Sequence, residues 1–198
     1  MDDDEPLLQA WRDGDRTAGQ QLLQRHFEAI ARFFRSKLGD DVQDLVQRTF
    51  LDCVESRDRM AGASVRAYLF AIARHRLVDH LRARSLREVD PEVTSIAELA
   101  TSASGQLARD DRQRLLALAL RRLPLDQQCA LELAYWEGLS APEIAMVLGV
   151  PATTVRSRIT RARDRLRDLL AELEADGGAL GRARDDLEQR SREFDHAG

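Results

Sequence analysis

The sequence predicts an all-α protein, two small helical domains joined by a flexible linker, the second containing a helix-turn-helix. Three observations carry this. Apolar residues recur at helical spacing along almost the whole chain, and no alternating strand pattern bounded by hairpin turns interrupts them. The stretch 88–105, "EVDPEVTSIAELATSASG", loses the Leu-rich pattern and gains Pro, Ser, Thr and acids, as a linker does. In the second half, "LSAPEIAMVLGVPATTVRSRITRARDRL" holds a short helix, a Gly turn and a longer polar-faced helix. At 198 residues the chain is long enough for one ordinary domain or two small ones.

The first block, residues 5–87, contains three helical patterns separated by turn formers near Gly14, Gly39 and "RDRMAGAS". The middle pattern, "DDVQDLVQRTFLDCVE", is amphipathic. Val42, Leu45, Val46, Thr49, Phe50 and Cys53 cluster on its buried side. Asp41, Asp44, Arg48 and Leu51 share the outer side, with Gln43 and Gln47 at its edge. An apolar Leu51 on a polar face hints at a protein contact, although single exposed apolar residues are normal. The third pattern is "SVRAYLFAIARHRLVDHLRARSLR". The second block runs from 106 to 173. The remaining stretch, 174–198, is highly charged with too few apolar residues to stabilise a fold alone, and reads as a frayed helix or disorder.

Composition excludes several classes. No apolar run approaches the ~18 residues that span a bilayer, and "MDDDEP" is acidic where a signal peptide is basic, so a soluble, cytoplasmic protein without membrane insertion is expected. Cys53 and Cys129 are far apart, lie in helical patterns and have no CxxC or CxxxH partner, which reads as two small core residues. Of 30 basic residues all but Lys37 are Arg, which dilutes any argument from Arg alone. The net charge of −4 argues against indiscriminate coating of nucleic acid. Its distribution matters more: residues 151–170 carry six Arg against Asp164 and Asp168, a local +4 that leaves −8 elsewhere.

That basic stretch coincides with the helix-turn-helix. Ser140 followed by Glu143 is a capping box, Pro142 sits near the helix start, and Gly149 supplies the turn. On the second helix, Val155, Ile159, Ala162, Leu166, Leu169 and Leu170 share one side. Thr153, Thr154, Arg156, Ser157, Thr160 and Arg161 are the residues that duplex DNA would meet on or near the other. Arg donates two hydrogen bonds to guanine, and Ser or Thr reaches base edges or phosphate. The competing reading is a helical hairpin with a solvated Arg face.

Other chemistry is set aside. "HRLVDH" puts His75 and Asp79 one turn apart with His80 adjacent, but no further cluster completes a metal site. There is no Gly-rich phosphate loop, no GxSxG elbow and no Cys-His nucleophile pair. The sequence offers no catalytic residue and calls for no cofactor.

With these residues in place, the chain resembles the extracytoplasmic-function (ECF) sigma factors of the sigma-70 family. "DDVQDLVQRTFLDC" is similar to their polymerase-binding segment, often D-A-E-D-L-V-Q-E-T-F. "SVRAYLFAIARHRLVDHLR" resembles the segment that engages the melted minus-ten element. "LPLDQQCALELAYWEGLSAPEIAMVLGVPATTVRSRITRARDRL" resembles the domain that reads the minus-thirty-five element. The resemblance implies sigma-70 region 2 over 5–87, a linker over 88–105 and region 4 over 106–173. It implies that Asp41, Asp44, Gln47 and Leu51 dock on the clamp helices of the largest subunit of core RNA polymerase. For minus-ten DNA it points to Arg66, Tyr68, Arg74 and His75, while helical spacing favours a core role for Tyr68 and Phe70. An anti-sigma factor is a further implied partner.

The chain departs from the family at Gln43, where an acid is common, at Arg48, where Glu is usual, and at His75, where Asn is frequent. Arg48 lies one turn after Asp44 and is placed to pair with it, blunting the negative face. Two readings stay open. Either the departures are tolerated variation, or the deficit is made up by a partner protein or by a Ser/Thr kinase adding ~1.5 to 2 negative charges. Ser56, at the helix end, is the accessible candidate, since Thr49 falls on the buried side. Two rival functions remain: a conventional helix-turn-helix regulator with an N-terminal sensing or dimerisation domain, and an interaction protein that binds no DNA.

Overall fold

In the computed structural model, which describes residues 4–60, 64–85, 88–99 and 111–177, every regular element among those residues is helical. The second part of the expected linker, most of the charged tail and residues 61–63 of the "RDRMAGAS" loop lie outside them.

The chain divides into two compact units between His80 and Leu81. The first holds α1 (Glu5–Arg12), α2 (Arg16–Leu38), α3 (Gln43–Glu55), a 3-10 turn (Arg57–Arg59) and most of α4 (Val65–Arg84). The division falls inside α4, ahead of residue 87, where the sequence placed the first boundary. Arg82 in the last turn donates to the Val89 carbonyl (3.4 Å), tying that turn to the chain that follows.

α2 starts where Asp15 accepts from the Thr17 and Ala18 amides at 2.8 and 3.2 Å, satisfying N–H groups that a helix start otherwise leaves open. α1 packs on α2 through a close approach at Gly19. A Cβ there would come within 2.5 Å of the Trp11 indole, so no larger residue fits. Leu8, Leu22, Ile30, Phe34, Met60, Leu69, Phe70 and Leu77 form the core. Phe33 meets Phe34 and Phe70 edge-on, with centroids 5.6 Å apart in each pair. The chain's one lysine is buried here. Lys37 Nζ donates to the Phe33 carbonyl (2.9 Å) and Ser36 Oγ (3.1 Å) and lies 3.8 Å over the Phe33 ring, in the last turn of α2, where a cation is favoured.

The second unit holds α5 (Ile96–Leu99), α6 (Asp111–Arg121), α7 (Leu125–Tyr135), α8 (Ala141–Leu148) and α9 (Ala152–Gly177). α7 is buried around nearly its whole circumference and serves as the central post, with α6, α8 and α9 about it. The expected capping box on α8 is present, Glu143 accepting from the Ser140 amide at 2.8 Å. Gly149 ends α8 in the left-handed region at φ +68°. A Cβ there would meet nothing within 4 Å, so the requirement is conformational and not steric.

The first half of the expected linker is structured. Ser95 and Glu98 form a capping box on α5, with Ser95 N–H to Glu98 Oε2 at 2.9 Å and Glu98 N–H to Ser95 Oγ at 3.3 Å. Val89, Ser95 and Ile96 are buried, and Ser95 bridges to Pro124. The segment lies on the start of α7, which Pro124 cannot cap with its side chain. The carbonyls of Thr94 and Pro91 take over that role, accepting from the amides of Leu125 (3.0 Å) and Asp126 (2.9 Å).

Candidate protein-docking and nucleic-acid interfaces

The two sides of α3 separate as its periodicity dictates. Val42, Leu45, Val46, Thr49 and Cys53 are buried. Asp41, Asp44, Gln47 and Arg48 are exposed, and Leu51 is 52% exposed in their midst. Arg48 Nε reaches the Asp44 carboxylate at 3.0 Å, with both side chains open to water. Thr49 is closed off, donating to the Leu45 carbonyl at 2.8 Å. Ser56 is half-buried, and its hydroxyl donates to the Asp52 carbonyl at 2.5 Å. Burial pushes the Cys53 thiol up to about 12, which keeps it protonated and inert.

The outer side of α3 continues into an apolar groove of about 880 Å³ between α2 and α3. Two helical stripes form its walls: Gln20, Leu23, Gln24, Phe27 and Ala31 on α2, facing Gln43, Val46, Gln47, Phe50, Leu51 and Val54 on α3. Phe27 and Phe50 stack with centroids 5.9 Å apart, yet Phe27 remains 52% exposed. Of the expected docking residues, Gln47 and Leu51 line the groove; Asp41 and Asp44 do not belong to its wall. The sequence reading missed Phe27 and Val54 and put Phe50 in the core. The signal was present as a second apolar stripe, 23–27–31, beside the core-facing stripe of α2.

The four expected minus-ten residues do not share one face of α4. Tyr68 and His75, seven residues apart, lie two turns apart on the same side, Tyr68 half-buried and His75 exposed. His75 Nδ1 lies 3.3 Å from Asp79, the next residue along that side. Arg66 and Arg74 fall on other sides and are half-buried. Phe70 is wholly buried against Phe33. α4 is fastened to α3 by Arg76, which donates twice to Asp52 at 2.5 and 2.6 Å, and this hydrogen bonding raises the Arg76 pKa further. No cluster of three or more metal-ligating side chains occurs among the described residues. No described helix is long and apolar enough to cross a membrane.

On α9 the expected basic face is present. Thr153, Arg156, Ser157, Thr160 and Arg161 are exposed, and Thr154 is half-buried. Val155, Ile159, Ala162, Leu166, Leu169 and Leu170 hold the opposite side in the core. Ser157 and Thr160 donate to the Thr154 and Arg156 carbonyls at 3.0 and 3.1 Å, which leaves their oxygens facing outward as acceptors. One arginine counted in the basic stretch is not on this face. Arg158 is 7% exposed, neighbours Val155 and Ile159, and is paired with Asp126 and Glu92. Its spacing of three from Val155 was the available signal.

Comparison with known proteins finds family matches in both halves of the chain. The family description Sigma-70 region 2 matches residues 21–87, and Sigma-70, region 4 matches residues 113–166. RNA polymerase sigma factor NccH of Alcaligenes xylosoxydans xylosoxydans is 35% identical, over 84% of this chain and 94% of that one. ECF RNA polymerase sigma factor SigM of Mycobacterium tuberculosis is 33% identical, over 86% of each. Among solved structures, CnrH in complex with the cytosolic domain of CnrY is similar at TM-score 0.62 and 28% identity, over 85% of this chain and 97% of that one. The sigma factor RpoE in complex with the anti-sigma factor NepR, from Bartonella quintana, is similar at TM-score 0.59 and 27% identity, over 77% and 96%.

Proposed function

This chain belongs to the ECF group of the sigma-70 family and is a promoter-specific RNA polymerase sigma factor, and we propose that its two exposed faces divide the work of initiation. The outer side of α3, with Asp41, Asp44, Gln47 and Leu51, docks on the clamp helices of the largest core subunit. The α2–α3 groove extends that contact. Tyr68 and His75, with Arg66 and Arg74, meet the melted minus-ten strand, where flipping out a base requires a few kcal/mol of compensating contacts. The face of α9 reads the minus-thirty-five duplex. Sigma factors are non-catalytic, so bond formation stays with the polymerase, in the cytoplasm.

The observation that carries this reading is one chain presenting both an open apolar groove beside exposed acids and an Arg-and-hydroxyl face on the second helix of a helix-turn-helix. A regulator with a separate sensing domain is not favoured, because region 2 occupies the residues such a domain needs. In vitro transcription tests the proposal. Core polymerase plus this protein is expected to initiate from a discrete set of genomic promoters; initiation from none overturns it.

The same groove suits an anti-sigma factor. Support comes from CnrH and RpoE, solved in complex with CnrY and NepR. An occupant of the groove covers Gln47 and Leu51 and so excludes the clamp helices. A kinase acting on Ser56 must first free its hydroxyl from the Asp52 carbonyl.

A further inference from the structure

The segment 88–99 lies between the two matched regions, in neither of them. It does more than connect. Its carbonyls at Pro91 and Thr94 cap α7, and its Glu92 reaches the recognition helix. Arg158 Nη2 donates to Glu92 Oε1 at 2.8 Å while Arg158 Nη1 donates to Asp126 Oδ2 at 2.9 Å. The Asp126 side chain is 4% exposed and that of Glu92 61%. One planar guanidinium thus joins three pieces of chain: the segment, the start of α7 and the helix bearing Arg156, Ser157 and Arg161.

We infer that Arg158 is a positioning residue for promoter recognition, clasping the interdomain segment to α9 so that seating of the segment and presentation of the DNA-reading side chains depend on each other. A buried arginine–aspartate pair is weak evidence for stability, because apolar residues of similar size often pack as well in such a place. The clasp also explains why the capping of α7 is entrusted to residues outside the domain's helices. The segment is held at Val89 and Ile96 by burial, at Pro91 and Thr94 by backbone bonds, and at Glu92 by charge. Of these, the Glu92 carboxylate reaches the recognition helix, through Arg158. The inference rests on the reading of α9 as the minus-thirty-five interface.

The test uses the full chain and a duplex that it selects from a randomised pool. Arg158→Met takes the guanidinium away from the buried Asp126 carboxylate and risks unfolding the unit, so Glu92→Gln and the paired Arg158→Gln, Asp126→Asn variant accompany it. Glu92→Gln is expected to retain the wild-type melting temperature and core polymerase binding, to weaken the selected duplex about three- to tenfold, and to speed amide exchange over 89–96 and at Leu125 and Asp126. The slope of log affinity against log salt should be unchanged in all variants that fold, because Arg158 holds no phosphate. A slope reduced by about 1 in the paired variant, with exchange over 89–96 unaltered, makes Arg158 a DNA contact and overturns the clasp. Duplex affinity falling only in step with melting temperature also overturns it, leaving an ordinary core ion pair. A wild-type chain that enriches no duplex removes the minus-thirty-five reading itself, an outcome visible before any variant is made.

Discussion

The outer side of α3 and the outer side of α9 are both polar helix faces, but in the proposed function they meet opposite partners. α3 sets Leu51 and an apolar groove among Asp41, Asp44 and Gln47, whereas the 153–161 face of α9 shows arginines and hydroxyls, with Val155 and Ile159 withdrawn into the core. A protein partner rewards exposed apolar area packed centrally and rimmed by charge. DNA rewards donors and positive charge, with energy that falls as salt rises. The difference teaches that net charge is a poor guide here: an overall −4 conceals one face suited to each partner.

The sharpest way to break the comparison is Leu51→Glu. It places a charge at the rim of the groove and is expected to weaken core polymerase binding by ~2 kcal/mol or more while leaving duplex binding intact. Calorimetric titration with core enzyme measures this, and loss of both activities would mean that the two faces are not independent. Next come Arg156→Ala and Arg161→Ala. Each should weaken minus-thirty-five binding by ~1 to 3 kcal/mol and reduce the salt slope by about 1, with core binding spared. Fluorescence anisotropy across a salt series reads both quantities.

The smallest effect sharpens the α3 side. The exposed Arg48–Asp44 pair contributes only ~0.3 to 0.5 kcal/mol, so Gln43→Glu with Arg48→Glu is expected to preserve melting temperature. If the charge deficit matters, core affinity rises a few-fold in the double variant. Unchanged affinity identifies both residues as tolerated variation.

Local signals made much of this legible. The capping box at Ser140, the glycine at 149 and the burial of Leu45, Val46, Thr49 and Cys53 on α3 follow from spacing within single helices, and the structure has them as the spacing requires. What escaped depends on packing between segments. Arg158 counts in the sequence only as one charge of the basic stretch, and its pairing is hidden there because its partners, Asp126 and Glu92, are 32 and 66 residues away. The segment at 88–99 read as linker because its composition is polar, although Ser95 and Glu98 spell a helix start. Phe50 read as core because a wheel shows which residues turn inward, not whether a neighbouring helix closes over them. Arg66 and Arg74 were grouped with His75 by chemistry, while the turn of α4 sets them apart.

The seating of Trp11 against Gly19 has a practical corollary. Trp11 is buried in the groove wall, and the chain's second tryptophan, Trp136, belongs to the other unit. Each half of the molecule therefore carries its own intrinsic fluorophore. Replacing Trp136 by Phe leaves a single indole in the groove wall, and its emission is expected to shift when the groove is occupied, which a fluorescence titration without any attached label would read.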